Sequence, residues 1–331
     1  MLSLSIIVPL YNTEPYICPC LESLYRQGLD ENTFEVIVVN DGSTDKSMER
    51  VSDLTRLHAN LTVIDQENQG ISVARNNGMA KATGEFLLFM DSDDVLIDNS
   101  LPPLLETARK AQADITVAQL IRMTDKEIAA NRQQAEADFT VKETDGRSLL
   151  LASSAYKCQV CRVIFKTDFL KRNNLLFIPG ICFEDAPFMN TCYVKAGRCV
   201  ETSHLFYIYR TREGSLSAKG AFSMTKAHSF CIAILNVWRL TRHEGLDSQQ
   251  RTKLNDLAFD YYNNLLMRTL FTIDGMDNKV HVLKMLKAEA PEMRFTNGWK
   301  QRLTTLLYRH LPGLYMRLLV WRKERLWKLK D

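Results

Sequence analysis

Three carboxylates, Asp91, Asp93 and Asp94, lie within four residues directly after the apolar stretch Phe86–Met90. Five consecutive apolar residues without helical spacing predict a strand that is buried on both faces. Clustered carboxylates repel one another unless a cation or hydrogen-bond donors lie among them. Oxygen ligands at this density suit Mg²⁺ or Mn²⁺, which keep coordination positions open for phosphates. An acidic turn in which Asp94 or Asp98 caps the next helix accounts for the same residues.

The first part of the chain contains further strands of the same kind. Apolar stretches, separated by segments with helical spacing, predict buried strands at Leu4–Leu10, Phe34–Val39, Leu61–Ile64, Phe86–Met90 and Ile115–Leu120. This alternation predicts βαβ units and an α/β fold with a mostly parallel sheet. Ligands bind such sheets at the carboxyl ends of the strands. The polar groups at three strand ends, Tyr11-Asn12, Asn40-Asp41 and Asp91–Asp94, are therefore expected to converge on one crevice.

The later part of the chain is less regular. Two more strands are predicted at Val160–Phe165 and Leu205–Tyr209, and the polar segment Thr124–Glu143 is predicted to be an exposed helix or loop. The remaining pattern is helical. We therefore expect a sheet-containing domain at residues 1–217 and a helical region at residues 218–331.

Positive charge is concentrated near the end of the chain. The whole chain carries only +3, which gives no reason to expect a nucleic-acid partner. Residues 294–331 hold ten Lys or Arg and two acidic residues, a net +8, so the remainder carries −5. Residues 312–330 mix Leu and Trp with Lys and Arg, which is typical of an interfacial helix on an anionic membrane. A helix packed on the body with its basic edge in water is the alternative.

The start of the chain and its cysteines bear on the compartment. The first residues lack the basic region of a signal peptide, and no apolar run reaches the roughly 18 residues of a membrane span. Of eight cysteines, Cys158 and Cys161 form one C-x-x-C pair, whereas a structural zinc site needs a second pair or His partners. We expect reduced thiols in a cytoplasmic protein that is at most peripheral on the inner face of the plasma membrane.

Six segments together resemble the motifs of family 2 glycosyltransferases, which have the GT-A fold. They occur in the family's order at Ser5–Asn12, Val38–Asp45, Asn68–Asn76, Asp91–Asp94, Glu184–Asp185 and Tyr209–Arg210. The resemblance is to bacterial enzymes of polysaccharide and glycoconjugate synthesis. It implies a Rossmann-like GT-A domain at residues 1–217 and a metal-dependent, inverting transfer of a sugar from a nucleotide-sugar donor. The acceptor would be a hydroxyl of a glycan or lipid-linked glycan, and UDP is favoured over GDP or dTDP by resemblance alone.

The resemblance assigns the acidic cluster to the donor's diphosphate. Asp93 is expected to bind Mg²⁺ or Mn²⁺, which stabilises negative charge on the leaving group. Asp91 is expected to bind the metal, the ribose or both, and Ser92 belongs to the same donor-binding segment. Asp94 either binds donor hydroxyls or caps a helix.

Another group of residues is assigned to the nucleotide. Asp41 is expected to accept a hydrogen bond from the N3–H of uracil, and an Asx-turn formed by the same side chain is the structural alternative. Pro9 and Tyr11 would shape the base pocket. Arg75 would contact the nucleotide or support the acids, and Gly70 would permit close backbone approach.

The last implied roles concern the acceptor and a mobile loop. Asp185 is expected to be the general base that takes the proton of the acceptor hydroxyl, with Glu184 as the substitute. Aromatic neighbours favour a raised pKa for this base, whereas an N-cap ahead of Pro187 is the structural alternative. Arg210 and Arg212 are expected to donate hydrogen bonds to the diphosphate from a loop that closes over it.

Two other functions remain open at this stage. A nucleotide-sugar-binding protein without turnover would share the fold but would not need the acids and the base together. A nucleotidyltransferase would need a Gly-rich, basic loop after the first strand, where this chain has Pro9-Leu10-Tyr11-Asn12. The absence of a GxGxxG or Walker A motif at this position also argues against a dinucleotide-binding or P-loop protein.

Overall fold

The apolar stretches near the start of the chain form neighbouring strands of one sheet. The structure is a computed structural model, and it describes residues 2–130, 135, 138–154, 158–211 and 222–327. The strands are β1 (Leu4–Leu10), β2 (Phe34–Asp41), β3 (Leu61–Gln66), β4 (Phe86–Phe89), β5 (Val95–Leu96), β6 (Ile115–Thr124), β7 (Val141–Thr144), β8 (Val163–Lys166) and β9 (Cys199–Thr211).

Helices alternate with these strands and then continue alone. They are α1 (Glu14–Tyr25), α2 (Ser47–Thr55), α3 (Ile71–Lys81), α4 (Leu101–Lys110), α5 (Asp125–Ala130), α6 (Gly146–Ala152), α7 (Thr167–Arg172), α8 (Asp185–Lys195), α9 (Met224–Arg239), α10 (Ser248–Thr272), α11 (Met276–Glu289), α12 (Gly298–His310) and α13 (Pro312–Trp327). No helix in the described part of the chain is both long enough and apolar enough to span a membrane.

The first half of the sheet is parallel. Strands β3, β2, β1 and β4 lie side by side, with Leu4 opposite both Phe34 and Phe86. Every residue of β1 is buried, as a continuous apolar strand in the middle of a sheet requires. Pro9 lies beyond the last pairing with β4, which ends at Ile7, so its missing N–H removes no hydrogen bond to that strand. The carboxyl ends of these strands therefore share one edge of the sheet.

The second half of the sheet is mixed. Strand β8 is antiparallel to β4 and β6, β6 is parallel to β9, and β5 and β7 are antiparallel to β9. The predicted parallel arrangement thus holds for the first four strands and for β6 with β9, while the other pairings are antiparallel. Strand β8 begins at Val163 instead of Val160, and β9 begins six residues before the predicted Leu205. The polar segment predicted as an exposed helix or loop contributes α5 and β7, and part of it lies outside the described residues.

The described residues fall into two units. The first comprises the described residues of Met1–Leu149, Gln159–Gly180 and Cys192–Ala218, and it holds the whole sheet. One core cluster of this unit combines apolar residues of β1, β2, α1 and α4. The second comprises the described residues of Leu150–Cys158, Ile181–Thr191 and Lys219–Asp331. The division into domains at residue 217 stays a prediction.

The second unit is built mainly from α9 to α13, which confirms the expected helical C-terminal region. Its longest helix, α10, begins with a capping box in which Asp247 and Gln250 each bond to the other's backbone N–H. The ring of Tyr262 on α10 packs at 5.3 Å from that of Phe295 and at 5.5 Å from that of Tyr308. These aromatic contacts join α10 to α12 and to the segment before it.

Candidate active site

The loops that follow β1, β2 and β4 are joined by hydrogen bonds. The Asn12 side-chain oxygen accepts from the backbone N–H of Thr44 at 2.8 Å, and the backbone N–H of Thr13 donates to Ser47 Oγ at 3.0 Å. The hydroxyl of Thr13 donates to Ser92 Oγ at 3.0 Å. The three polar strand ends therefore meet at one edge, as the alternation of strands and helices predicts.

Asp41 is buried at the end of β2 and organises the loop between β3 and α3. Its Oδ1 accepts from Gln66 Nε2 and from the backbone N–H of Gln69, each at 2.8 Å. Its Oδ2 accepts from the backbone N–H of Gly70 at 2.8 Å. A buried carboxylate requires such donors, because an unpaired charge away from water is costly. The carboxylate is thus fixed in place by three bonds.

The Asx-turn considered for Asp41 does not form, because its carboxylate accepts from Gln66, Gln69 and Gly70 instead of its own turn, so that alternative is wrong. The turn after β2 is bonded by Asn40, whose Oδ1 accepts from the backbone N–H of Ser43 at 3.0 Å. Gly70, in the loop that Asp41 holds, has φ of 86° and ψ of 160°. Only glycine adopts this conformation readily. A Cβ at Gly70 would meet no atom within 4 Å, so open space lies beside this backbone.

Arg75 is buried on α3 and pairs with the first acid of the cluster. Its Nη2 donates to Asp91 Oδ1 at 2.9 Å. The guanidinium lies 5.1 Å from the ring centroid of Phe177 and 5.9 Å from that of Phe89, which is cation–π distance. Of the two expected roles of Arg75, these contacts correspond to support of the acids.

Asp94 is the most buried of the three acids. Its Oδ2 accepts from the Tyr207 hydroxyl at 2.6 Å, and its Oδ1 accepts from the backbone N–H of Arg210 at 2.7 Å. Burial, together with the negative charges of Asp91 and Asp93, raises the pKa of Asp94 to about 8, although these two hydrogen bonds oppose the shift. Asp94 therefore ties the acidic turn to β9.

Neither Asp94 nor Asp98 caps the next helix, so that alternative is wrong. Helix α4 begins at Leu101 after the N-cap residue Ser100, and the Asp98 carboxylate instead accepts from Arg26 Nε at 2.8 Å. Clustered acids had suggested a cap because Asp is a common N-cap residue. Here the donors to Asp94 lie on β9, and the donor to Asp98 is Arg26, directly after α1.

Arg210 is buried at the end of β9, where it supports the acidic turn. Its Nε donates to the backbone oxygen of Asp93 at 2.5 Å, its Nη1 donates to the Asp125 carboxylate, and its guanidinium lies 5.0 Å from the ring centroid of Tyr16. These are the contacts of a positioning residue, and a bond from Arg210 to phosphate stays a prediction. Arg212 lies outside the described residues.

Sequence reasoning missed Tyr207 and Asp125. A tyrosine in a buried strand needs a partner for its hydroxyl, and clustered carboxylates need donors. These two requirements together point to Tyr207, which also accepts from the backbone N–H of Asp91 at 3.2 Å. Asp125 gives no such signal, because it lies in a polar segment with no recognisable pattern.

The donor set at this edge fits a hard divalent cation. Asp91 and Asp93 are partly exposed and supply carboxylate oxygens, which Mg²⁺ and Mn²⁺ prefer. Within the described ranges, no three His, Cys, Asp or Glu side chains come together as a complete metal site. An ion held here would therefore take further ligands from water or from a bound phosphate.

Glu184 and Asp185 belong to the second unit, where an unusual turn precedes α8. Phe183 has φ of 66°, a left-handed conformation that residues other than glycine rarely adopt. Its ring packs edge-on against Phe230, with 4.2 Å between centroids, and Arg268 lies 5.4 Å from the same ring. Asp185 is the first residue of α8 itself, not the cap before it, and is half-buried.

A half-buried thiol and a buried phenol lie in the same unit as these acids. Cys158 Sγ is 3.3 Å from the hydroxyl of Tyr261 on α10. Burial raises the pKa of Cys158 to about 11, and the nearby charges of Asp185 and Glu184 add to the shift. All eight cysteines are thiols.

Comparison with known proteins gives a family model and curated relatives. The model "Glycosyl transferase family 2" matches residues 5–171, which are 167 of the 331 residues. EpsJ of Bacillus subtilis (strain 168), described as an uncharacterized glycosyltransferase, is 34% identical over 216 residues, 64% of this chain and 62% of EpsJ. TarS of Staphylococcus aureus (strain MW2), a poly(ribitol-phosphate) beta-N-acetylglucosaminyltransferase, is 32% identical over 217 residues, 65% of this chain and 36% of TarS. The chain thus matches less than two thirds of either relative.

Solved structures with a similar fold include two sugar-nucleotide complexes. The S. aureus TarS fragment 1–349 with UDP-GlcNAc aligns with a TM-score of 0.74 at 22% identity, over 98% of this chain and 92% of that one. The mannosyltransferase PcManGT from Pyrobaculum calidifontis, with GDP-Man and Mn²⁺, aligns with a TM-score of 0.54 at 15% identity, over 96% of this chain and 86% of that one. At these identities the likeness establishes the fold, and it confirms the predicted fold class.

Proposed function

Because the chain belongs to glycosyl transferase family 2, we propose that it transfers a sugar from a UDP-sugar donor to a hydroxyl of a glycan or lipid-linked glycan acceptor. One observation carries the proposal beyond family membership. The ends of β1, β2 and β4 share an edge of the sheet, and there Asp41, Asp91 and Asp93 lie on hydrogen-bonded loops. Polar groups at the carboxyl ends of parallel strands are the usual setting of a nucleotide site.

The nucleotide base is the proposed ligand of Asp41 and Tyr11. A carboxylate has about four acceptor positions, and described residues use three of those on Asp41. The fourth suits the N3–H of uracil. Tyr11 is half-exposed directly after β1 and would line the pocket beside Pro9. The open space beside Gly70 would admit the nucleoside close to the backbone.

The diphosphate is the proposed ligand of the acidic turn. Asp93 and Asp91 would hold Mg²⁺ or Mn²⁺, and the ion would stabilise the charge that develops on the leaving UDP. Arg75 orients Asp91 through its 2.9 Å bond, while Arg210 fixes the backbone of Asp93. Because both arginines are buried and bonded, they would pre-organise the acids instead of moving with the donor. Ser92 would act in the same way, through its bond with Thr13.

Inverting transfer is the proposed stereochemistry, with Asp185 as general base. The carboxylate would take the proton of the acceptor hydroxyl while the acceptor oxygen forms its bond to C1 of the sugar. The bond between C1 and the phosphate oxygen breaks on the opposite face, and UDP leaves. The left-handed turn at Phe183 supports this role, because strained backbone of this kind concentrates at functional sites. Glu184, more buried than Asp185, is the alternative base.

UDP release from a panel of UDP-sugars, with a glycan or lipid-linked glycan acceptor, tests the roles of the acids. Asp93→Asn and Asp185→Asn are each expected to lower turnover by about 100-fold to 10,000-fold. Asp168→Asn is the matched control, because Asp168 forms an exposed pair with Arg172 on α7. Wild-type turnover in both site variants would refute these site assignments. UDP binding without release from any donor would favour a binding protein without turnover.

Thermal unfolding with added nucleotides tests the base and the metal separately. UDP with Mn²⁺ is expected to raise the melting temperature more than UDP or Mn²⁺ alone, because only the combined complex has all its ligands. GDP and dTDP provide the comparison for the base. Equal stabilisation by UDP with and without Mn²⁺ would refute metal dependence of donor binding.

We also propose that residues 312–330 contact an anionic membrane, at the inner face of the plasma membrane, where a lipid-linked acceptor would lie. On α13, Leu314, Leu318 and Trp321 are exposed apolar side chains among Lys and Arg. Residues 328–330 lie outside the described residues. Flotation of the full chain with anionic vesicles, and of its Leu318→Glu/Trp321→Glu variant, tests this contact: equal flotation of the two would refute it.

A further inference from the structure

Helix α12 repeats the outward-facing pattern of α13. Both helices contain the same eight-residue pattern: an apolar residue, two other residues, Arg-Leu, two further residues and a second apolar residue. The two apolar sets with their arginines are Trp299, Arg302, Leu303 and Leu306 on α12, and Leu314, Arg317, Leu318 and Trp321 on α13. At about 100° per residue, the three apolar positions of each set fall within an arc of about 60°. Each helix therefore carries one narrow apolar row.

Both apolar rows face outward. Trp299 is 70% exposed, Leu306 53% and Trp321 54%. More than half of the large hydrophobic side chains that are exposed in the described part of the chain lie between residues 299 and 321 or at the end of α10. Exposed apolar patches of this kind mark interaction surfaces.

The inner side of α12 combines one aromatic core residue, Tyr308, with two buried polar side chains, so the outward apolar row is not needed to complete an apolar inner face. Helix α12 buries Gln301, Thr305 and Tyr308. The amide of Gln301 accepts from Asn255 Nδ2 at 2.7 Å, and Thr305 Oγ1 accepts from the backbone N–H of Phe295 at 2.9 Å. Folding alone favours the reverse arrangement, with apolar residues inside and polar residues outside. The buried Gln301 and Thr305 and the exposed apolar row depart from this arrangement, and the row needs a second explanation.

Basic groups accompany the apolar rows. Residues 298–327 contain seven Lys or Arg and one acidic residue, Glu324, a net +6. Lys300 Nζ lies 5.8 Å from the ring centroid of Trp299, and the Arg325 guanidinium lies 4.6 Å from that of Trp321. Each exposed tryptophan thus has a cation directly beside it.

We propose that α12 and α13 form one membrane-docking surface, in which α12 is a second anchor beside the 312–330 contact proposed above. The apolar rows would enter the boundary between headgroups and acyl chains, and the Lys and Arg side chains would bind anionic headgroups. A second copy of the chain is a poorer occupant, because it would bring together two segments that each carry a formal charge of +6. This inference extends the proposed contact of 312–330 and is independent of the catalytic roles.

Flotation with vesicles tests the role of α12, using the full chain without donor or acceptor. Vesicles of phosphatidylcholine with phosphatidylglycerol are compared with phosphatidylcholine alone. Trp299→Glu/Leu306→Glu is expected to lower binding to the anionic vesicles by about tenfold or more, because each Glu removes buried apolar area and adds repulsion. The matched control is Leu57→Glu/Leu176→Glu, which alters leucines of the first unit that are 73% and 62% exposed. The control is expected to bind as the wild type does.

Quenching of tryptophan fluorescence by brominated lipids gives a second readout that does not depend on charge. Trp299→Phe and Trp321→Phe are each expected to remove part of the quenching, because both rings would lie at the acyl boundary. Full quenching in Trp299→Phe would overturn the inference.

Three results distinguish the α12 anchor from the 312–330 contact, from the catalytic proposal and from self-association. Wild-type flotation of the α12 variant, with loss only in the α13 variant, would overturn the α12 anchor and leave the 312–330 contact standing. No binding by any form would overturn both membrane contacts without touching the catalytic proposal. Self-association in light scattering that the α12 variant abolishes, in a chain that binds no vesicles, would identify a second copy as the occupant.

Discussion

The edge of the sheet and the last two helices depart in different ways from the usual rule of apolar side chains inside and polar side chains outside. At the edge, Asp41, Arg75 and Asp94 are charged or polar groups that the fold buries and bonds. In α12, Trp299 and Leu306 are apolar groups that the fold leaves in water. Hydrogen bonds offset the cost of burying polar groups at the edge, whereas leaving apolar groups in water on α12 gives up the free energy that their burial would provide.

The two regions differ in where the contact partners of these side chains come from. At the edge of the sheet, the protein supplies the partners itself, so the buried groups serve to hold the acidic turn and the loop before α3 in one geometry. On α12 and α13, the apolar rows have no covering element in the described part of the chain, and the proposed membrane would supply their partner. Substitutions that remove internal partners should therefore lower stability, while substitutions on the outer rows should not.

The largest effect is expected from breaking the Arg75–Asp91 pair. Arg75→Met is expected to lower the free energy of unfolding by about 3 kcal/mol, because it leaves the Asp91 carboxylate without its cation and removes the contacts with two rings. Denaturant unfolding of the protein without metal or nucleotide measures the change. The matched control is Arg109→Met, since Arg109 bonds Glu85 at 3.0 Å on the surface, where such pairs contribute less than about 1 kcal/mol. Equal losses from both would remove the distinction between the two kinds of pair.

The next effect concerns Asp94, whose carboxylate accepts from Tyr207 and Arg210. Asp94→Ala is expected to cost about 2 kcal/mol, because two buried donors lose their acceptor. Asp94→Asn keeps the shape and one acceptor oxygen, and its amide can donate to the Tyr207 hydroxyl, so its cost should be smaller. Thermal unfolding of both variants measures the difference. A larger loss from Asn than from Ala would contradict the positioning role of Asp94.

The positions of the donor-site residues could be predicted from sequence, but their contacts could not. Strand ends are visible in the apolar pattern, so Asp41 and the acidic turn were expected at the same edge of the sheet. The partners of Asp94 and Arg210 are more than 80 residues distant along the chain, and no local pattern encodes such pairs. Asp94 was therefore expected to bind donor hydroxyls or cap a helix, whereas in the structure its carboxylate accepts a hydrogen bond from Tyr207.

The fold shows the same limit. Strands β1, β2 and β4 were predictable, because each lies in a stretch of mostly apolar residues without helical spacing. Strand β5 has only two residues, and the four residues of β7 are mostly polar, so neither shows such a stretch. The antiparallel placement of β8 depends on how the chain returns to the sheet, which is a tertiary property.

An effect of similar size at Gly70 distinguishes two glycines that both face open space. Gly70→Ala is expected to cost about 1 to 3 kcal/mol, because φ of 86° and ψ of 160° strain any residue with a Cβ. Gly313→Ala, inside α13, is expected to raise stability by about 0.5 kcal/mol, because alanine is the better helix former. Denaturant unfolding of the two variants is the measurement. The same sign of change in both would mean that backbone strain at Gly70 is not what requires glycine there.

The smallest effect on the free energy of unfolding is expected on the outer row of α12. There a polar substitution should cost less stability than an apolar substitution on the inner side of the same helix. Leu303→Gln makes an outer position polar and is expected to change the free energy of unfolding by less than about 0.5 kcal/mol, because Leu303 is exposed. Thr305→Val makes an inner position apolar at nearly constant volume. It is expected to cost about 1 to 2 kcal/mol, because the backbone N–H of Phe295 loses its acceptor.

Denaturant unfolding of these two α12 variants, in the absence of lipid, separates the demands of folding from those of an outer partner. If Thr305→Val costs more than Leu303→Gln, the inner face is the one that folding requires, and the leucine row is retained for something that folding does not supply. A destabilising Leu303→Gln would mean instead that the row packs within the protein, and the membrane-docking surface would lose its main support.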